Sequence, residues 1–303
     1  MSRPTAYAPP TPVAATLWEG YGYGLLGVLV FSLTLPMTRV AVTELSPLLI
    51  GLGRALLAAV PAALFLWLTR SRRPDRREWP GVLLAALGIV VGWPLASTLA
   101  MTSVPSSHGA VFNGLLPLAT AAFAAWRSGE RPSPTFWGWA VAGAALVMAY
   151  ALRQGHGSLQ TGDLWLLLAV VLGGMGYAEG ARTSRTLGGA RTICWALVVS
   201  APVVALPVLW MASDTAWPSA TVAAAFVYLA FGSMFLGFFA WYRGLAVGGI
   251  ARVGQVQLVQ PFLTVLAAAL FFHEVVEPIT FVFALAVIAI IAGGRRAIIR
   301  KAP

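Results

Sequence analysis

Ten runs of mostly apolar residues, each long enough to cross a lipid bilayer as a helix, follow one another along this chain with almost nothing between them. A helix rises about 1.5 Å per residue, so roughly 20 apolar residues span the hydrocarbon. The runs fall at 20–43, 46–69, 79–101, 105–126, 134–152, 162–186, 190–212, 219–243, 248–272 and 276–294. The longest polar link, Arg70 to Glu78, leaves no room for a soluble domain. Composition supports this: 59% of residues are hydrophobic and 10% charged, against about 25% charged in soluble domains. The expected fold is an all-α integral membrane protein.

The formal net charge of +10 could signal nucleic-acid binding. Its distribution argues otherwise, because the basic residues sit in short links between apolar runs. With the N-terminus inside, 17 Lys and Arg residues lie on the cytoplasmic side and only Arg39 and Arg153 on the other, with Arg54 inside a helix. That asymmetry is the positive-inside signature. It predicts a multi-pass protein of the cell (inner or plasma) membrane with cytoplasmic tails at 1–18 and 297–303, in contact with lipid and with no nucleic-acid partner. The first 18 residues lack a short apolar core followed by a small-residue cleavage site, so they read as a mature tail. Cys194 is the only cysteine, which excludes an intramolecular disulfide and a thiolate metal cluster.

Shifting the chain by 144 residues brings Asn113 onto Gln257, Pro117 onto Pro261, Glu130 onto Glu274 and Glu19 onto Asp163. The spacing of the runs agrees throughout. Two five-helix repeats follow, 19–153 and 162–296. Five is odd, so they enter the membrane in opposite directions, an arrangement typical of secondary transporters.

Three marks carry a family resemblance: Leu52–Gly53–Arg54–Ala55–Leu56–Leu57–Ala58–Ala59 in the second run, Pro117 in the fourth followed by Gly129–Glu130–Arg131–Pro132–Ser133, and Phe272–His273–Glu274 before the tenth. The chain resembles the drug/metabolite transporter superfamily, and within it the EamA-type ten-helix members. It looks most like the YddG-type amino-acid exporters, on overall likeness and on aromatic residues in the third and sixth runs. The resemblance implies an alternating-access exporter of aromatic or other neutral amino acids and related metabolites. Carriers of drugs, lipophilic cations, sugars or nucleotide-sugars are the rival within transport.

A small-molecule site would lie among the first, third, fourth, sixth, eighth and ninth helices. The candidates are Ser32, Trp93, Ser97, His108, Phe112, Asn113, Tyr177, Glu179, Tyr242 and Gln257. Eleven of the twelve Trp sit near helix ends, where belt anchoring accounts for them. Trp93 is mid-helix and serves either as a cavity wall or as packing. Asn113 and Gln257 are amides that either bond helices together or meet a solute. Glu179 either pairs with Arg182, snorkels, or binds an ammonium group or a proton. Arg54 needs carbonyls or a carboxylate and serves as a structural or gating tether or as a solute contact.

An enzyme would need paired acids, a nucleophile with its base, or a metal cluster. Nine of the ten carboxylates lie near helix ends or in links, and the histidines are scattered, so an enzyme, a cofactor and a metal are not expected. Gly22, Gly24 and Gly27 fit a dinucleotide-binding pattern but open an apolar helix with no strand before it. His273–Glu274–Val275–Val276–Glu277 lacks the second histidine of a zinc motif. The pattern Gly176–Tyr177–Ala178–Glu179–Gly180 predicts a close helix contact on the sixth run.

Overall fold

The computed structural model describes residues 13–101, 112–155, 161–213, 215–272, 278–294, 296–297 and 299–301. Helices dominate. By continuity they are α1 (Val13–Ser32, resuming as Thr34–Ala41), α2 (Pro47–Leu68), α3 (Trp79–Ala85, a π-helical stretch Ala86–Gly92, then Trp93–Met101), α4 (Leu116–Arg127), α5 (Pro134–Gly155), α6 (Thr161–Leu187), α7 (Gly189–Ser213), α8 (Ala220–Val227, π-helical Tyr228–Leu236, then Gly237–Gly248), α9 (Ile250–Gly254, 3-10 helical Gln255–Val259, then Gln260–Phe272) and α10 (Pro278–Gly294). Six stretches have the length and apolarity to cross a membrane: Leu17–Ala41, Pro47–Leu68, Trp79–Ala100, Gly162–Leu187, Gly189–Ser213 and Ala220–Gly248. Their outward faces carry large apolar side chains such as Val203, Leu206 and Trp210, all more than two-thirds exposed in the isolated chain, as a lipid-facing surface requires.

The packing follows the repeat. α1 lies along α8 and its repeat mate α6 lies along α3, while α2 pairs with α7 and α5 with α10. Apolar side chains gain little by leaving lipid for protein, so close backbone approach has to supply the attraction. At the α1–α8 crossing a Cβ on Gly20 would sit 2.5 Å from the Cα of Gly248. At α3–α6 a Cβ on Gly88 would sit 2.8 Å from the Cα of Gly176. Only glycine fits either seam. Of the dinucleotide-like glycines, Gly24 and Gly27 lie on the α1–α8 seam against Gly244 and Trp241 while Gly22 faces open space, and the close contact expected around Gly176 is made with α3.

Three prolines break helices, two of them, Pro117 and Pro261, at matching places of the repeat. A proline cannot donate to the carbonyl four residues earlier; for Pro36, Pro117 and Pro261 those carbonyls belong to Ser32, Asn113 and Gln257. In α1 the break falls at Leu33, and three successive carbonyls find side-chain donors from the second half. Tyr228 Oη donates to Val30 O at 2.7 Å, Gln260 Nε2 to Phe31 O at 3.4 Å and Thr264 Oγ1 to Ser32 O at 2.9 Å. In α9 the Gln260 N–H takes Gln257 O in a 3-10 bond. In α4 a turn at Gly114–Leu115 precedes the main helix.

Two short strands, β1 (Glu130–Pro132) and β2 (Ile299–Lys301), pair antiparallel with Glu130 opposite Lys301. Part of the stretch read as a C-terminal tail, Ile299–Lys301, pairs with the link between α4 and α5.

Candidate functional site

Two small hollows lie between the halves and share the walls formed by Thr34, Arg54, Trp93 and Asn113. The inner one is completed by residues including Phe31, Tyr177, Ser233, Phe238, Gln257 and Gln260. The other extends toward Thr38, Ile50, Ser97, Thr98 and Phe112. Each has a cavity volume of about 30 Å³, room for roughly two waters. The centre is not tightly filled.

The helix breaks are what make these walls polar. Asn113 and Gln257, the repeat-related amides, both line the inner hollow, each four residues before a proline. Gln257 Nε2 donates to Tyr177 Oη at 3.4 Å and to Gln260 Oε1 at 3.2 Å, while its Oε1 has no partner. Thr34 and Ser233 share a buried hydrogen bond of 2.8 Å. Trp93 stands in both walls, its Nε1–H unpartnered. Arg54, 4% exposed, stacks its guanidinium 5.6 Å from the Trp93 ring centre, and its Nε has no partner. No lining residue of either hollow is an Asp or Glu.

At the arginine-rich end, buried carboxylates tie the helices together. Glu130 accepts from the N–H groups of Ile250 and Ala251 at 2.9 Å each and from Arg185 Nη2 at 2.6 Å. Gly249, at φ 95°, turns the chain so that the first N–H groups of α9 face that carboxylate. Glu179, fully buried, receives Arg127 Nε at 2.6 Å and Arg182 Nη2 at 2.7 Å. Nearby, Arg72 clamps Glu78 through two 2.7 Å bonds, and Thr186 adds a third at 2.7 Å. At the opposite end Glu44 accepts from Ser219 N and Oγ at 2.6 and 2.7 Å.

The sequence candidates therefore divide. Trp93, Ser97, Phe112, Asn113, Tyr177 and Gln257 come together around the hollows. Ser97 also bonds back to Pro94 O at 3.2 Å. Ser32 lines neither hollow; its hydroxyl turns back to Leu29 O at 2.7 Å. Glu179 is held in the arginine trio, which keeps the expected Arg182 pairing and adds Arg127. Tyr242 is buried under α6, where its hydroxyl donates to Gly176 O at 3.1 Å. His108 lies outside the described residues, as do His273 and Glu274. The helices forming the walls are the expected six plus α2, which enters through Arg54. Thr34, Ser233 and Gln260 were not among the sequence candidates, and the sequence reads Arg54 as a tether or a solute contact without a place in the walls. Arg54 alone carried a usable signal, being the one basic residue deep in an apolar run.

A profile of the EamA-like transporter family matches residues 18–152 and, a second time, residues 160–293. The Bacillus subtilis (strain 168) protein named uncharacterized transporter YdeK is 45% identical over 280 residues, which is 92% of this chain and 97% of its own. A solved crystal structure shares the fold with a TM-score of 0.73 at 20% identity, covering 93% of this chain and 95% of that one.

Proposed function

We propose, on the premise that this chain belongs to the EamA-like transporter family, that it is an alternating-access exporter of aromatic and other neutral amino acids and related small metabolites. Family and relative both mark a membrane transporter rather than an enzyme. In this reading the chain makes ten crossings in two inverted halves, with both termini cytoplasmic, as the basic residues favour. The observation that carries the reading is the central hollow to which each half contributes an amide at a proline-broken helix, Asn113 and Gln257. A site at the junction of two halves is reachable from either face when the halves rock. In this reading the ion pairs of Glu130 and of the Glu179 trio hold the arginine-rich face closed.

The test is efflux of labelled amino acids from liposomes reconstituted with the purified protein. Expected is saturable efflux of some neutral amino acids above protein-free liposomes. No efflux across the twenty amino acids would remove this substrate assignment and leave the family assignment standing.

A further inference from the structure

The central walls carry one charge, and no described residue neutralises it. Arg54 is 4% exposed and makes no hydrogen bond or ion pair among the described residues; its one close partner is the face of Trp93. The described glutamates are engaged elsewhere. Glu78, Glu130 and Glu179 bind arginines at the arginine-rich end, Glu44 binds Ser219, and Glu19 binds Arg243. A guanidinium does not shed its proton in proteins. A buried charge requires a counter-charge or full hydrogen bonding, and stacking on an indole supplies only part of that.

We infer that Arg54 is the seat for an anionic group, in the first place a carboxylate, of the transported solute. The planar guanidinium offers a forked set of donors matched to a carboxylate. The unpartnered Trp93 Nε1–H lies in the same walls and supplies another donor. Gln257 Oε1, unpartnered in the wall contributed by α9, is the acceptor left for the solute's ammonium or other N–H. An amino acid presents both groups and satisfies both sides. A deaminated acid satisfies the Arg54 side alone. An amine with no carboxylate meets a like charge and finds no counter-ion, so organic cations are rejected.

This assignment deepens the transport reading, yet binding can be measured without transport. The probes are alanine, leucine and phenylalanine, each with its deaminated acid and its decarboxylated amine. Two readouts run in parallel: thermal stabilisation of the detergent-purified protein, and inhibition of amino-acid efflux from proteoliposomes. Expected is stabilisation by acids and amino acids but not by amines, with Arg54→Gln weakening carboxylate binding about tenfold or more and Arg54→Lys losing less. Arg54→Gln counts only if its unliganded melting temperature shows a folded protein; Trp93→Phe, which removes one donor and keeps the ring, is the second variant and should weaken carboxylates severalfold. Amines acting as well as acids, or no stabilisation by any carboxylate, would overturn the inference. Carboxylate stabilisation that depends on Arg54, with no efflux of any amino acid, would sink the exporter reading and leave the anion seat in place.

Discussion

Replacing Glu130 with Ala tests whether the contacts at the arginine-rich end hold it shut. In the parent, one 2%-exposed carboxylate satisfies two backbone N–H groups of α9 and pairs with Arg185 on α6. Each stranded buried donor costs about 1–3 kcal/mol, and a buried pair broken on one side costs a similar amount or more. Water admitted by the missing side chain offsets part of this, so about 3 kcal/mol remains, or roughly a hundredfold in population. Glu130→Gln keeps an acceptor oxygen but no charge, and its effect should be intermediate. The assay uses a Cys194→Ala background carrying Gln257→Cys as reporter, labelled with a membrane-impermeant maleimide from one face at a time. From the arginine-rich face, labelling should rise by up to about a hundredfold; from the other face it should fall. Faster labelling from both faces would mean loss of fold rather than release of a latch. Equal labelling from both faces, with the melting temperature unchanged, would refute the argument.

Three further outcomes follow from the packing. Tyr228→Phe and Thr264→Val, which remove donors to carbonyls at the α1 break, should each cost about 1 kcal/mol in chemical or thermal unfolding. Gly20→Val should lower the yield of folded protein through overpacking of about 1–3 kcal/mol or more, whereas Gly22→Ala, with nothing within 4 Å of its new Cβ, should not lower yield or melting temperature. Arg72 first, then the Asp75 N–H and the Thr186 hydroxyl, lower the Glu78 carboxyl from 4.5 to about 2. The folded form holds its proton more weakly than the unfolded one, so this stabilisation is full above pH 4.5 and fades as pH falls toward 2. Glu78→Gln should flatten the melting temperature over that window, and an unchanged slope would contradict the clamp.

Much of the fold was legible from local pattern. The apolar runs, their short links and the 144-residue repeat mark a helical membrane chain in two related halves, because length and apolarity are properties of consecutive residues. Pro117 and Pro261 could be matched from the repeat, but that they and Pro36 break their helices while Pro61, Pro202 and Pro207 sit within continuous ones was decided by the structure. Asn113 and Gln257 could be paired from the repeat alone, and they do line one hollow. The Glu130 contact to α9 was not legible, since its partners are backbone groups 120 and 121 positions away.

What the chain's own order of residues determined was depth: which side chains lie mid-helix and which near an end. Only tertiary packing decided direction. Successive residues turn by about 100° around a helix, and a helix apolar on every side carries no stripe to say which face looks inward. Glu179 and Arg54 are both ionisable residues within apolar runs. Rotation and neighbouring helices give Glu179 to two arginines and turn Arg54, on a helix not expected in the walls, toward the centre.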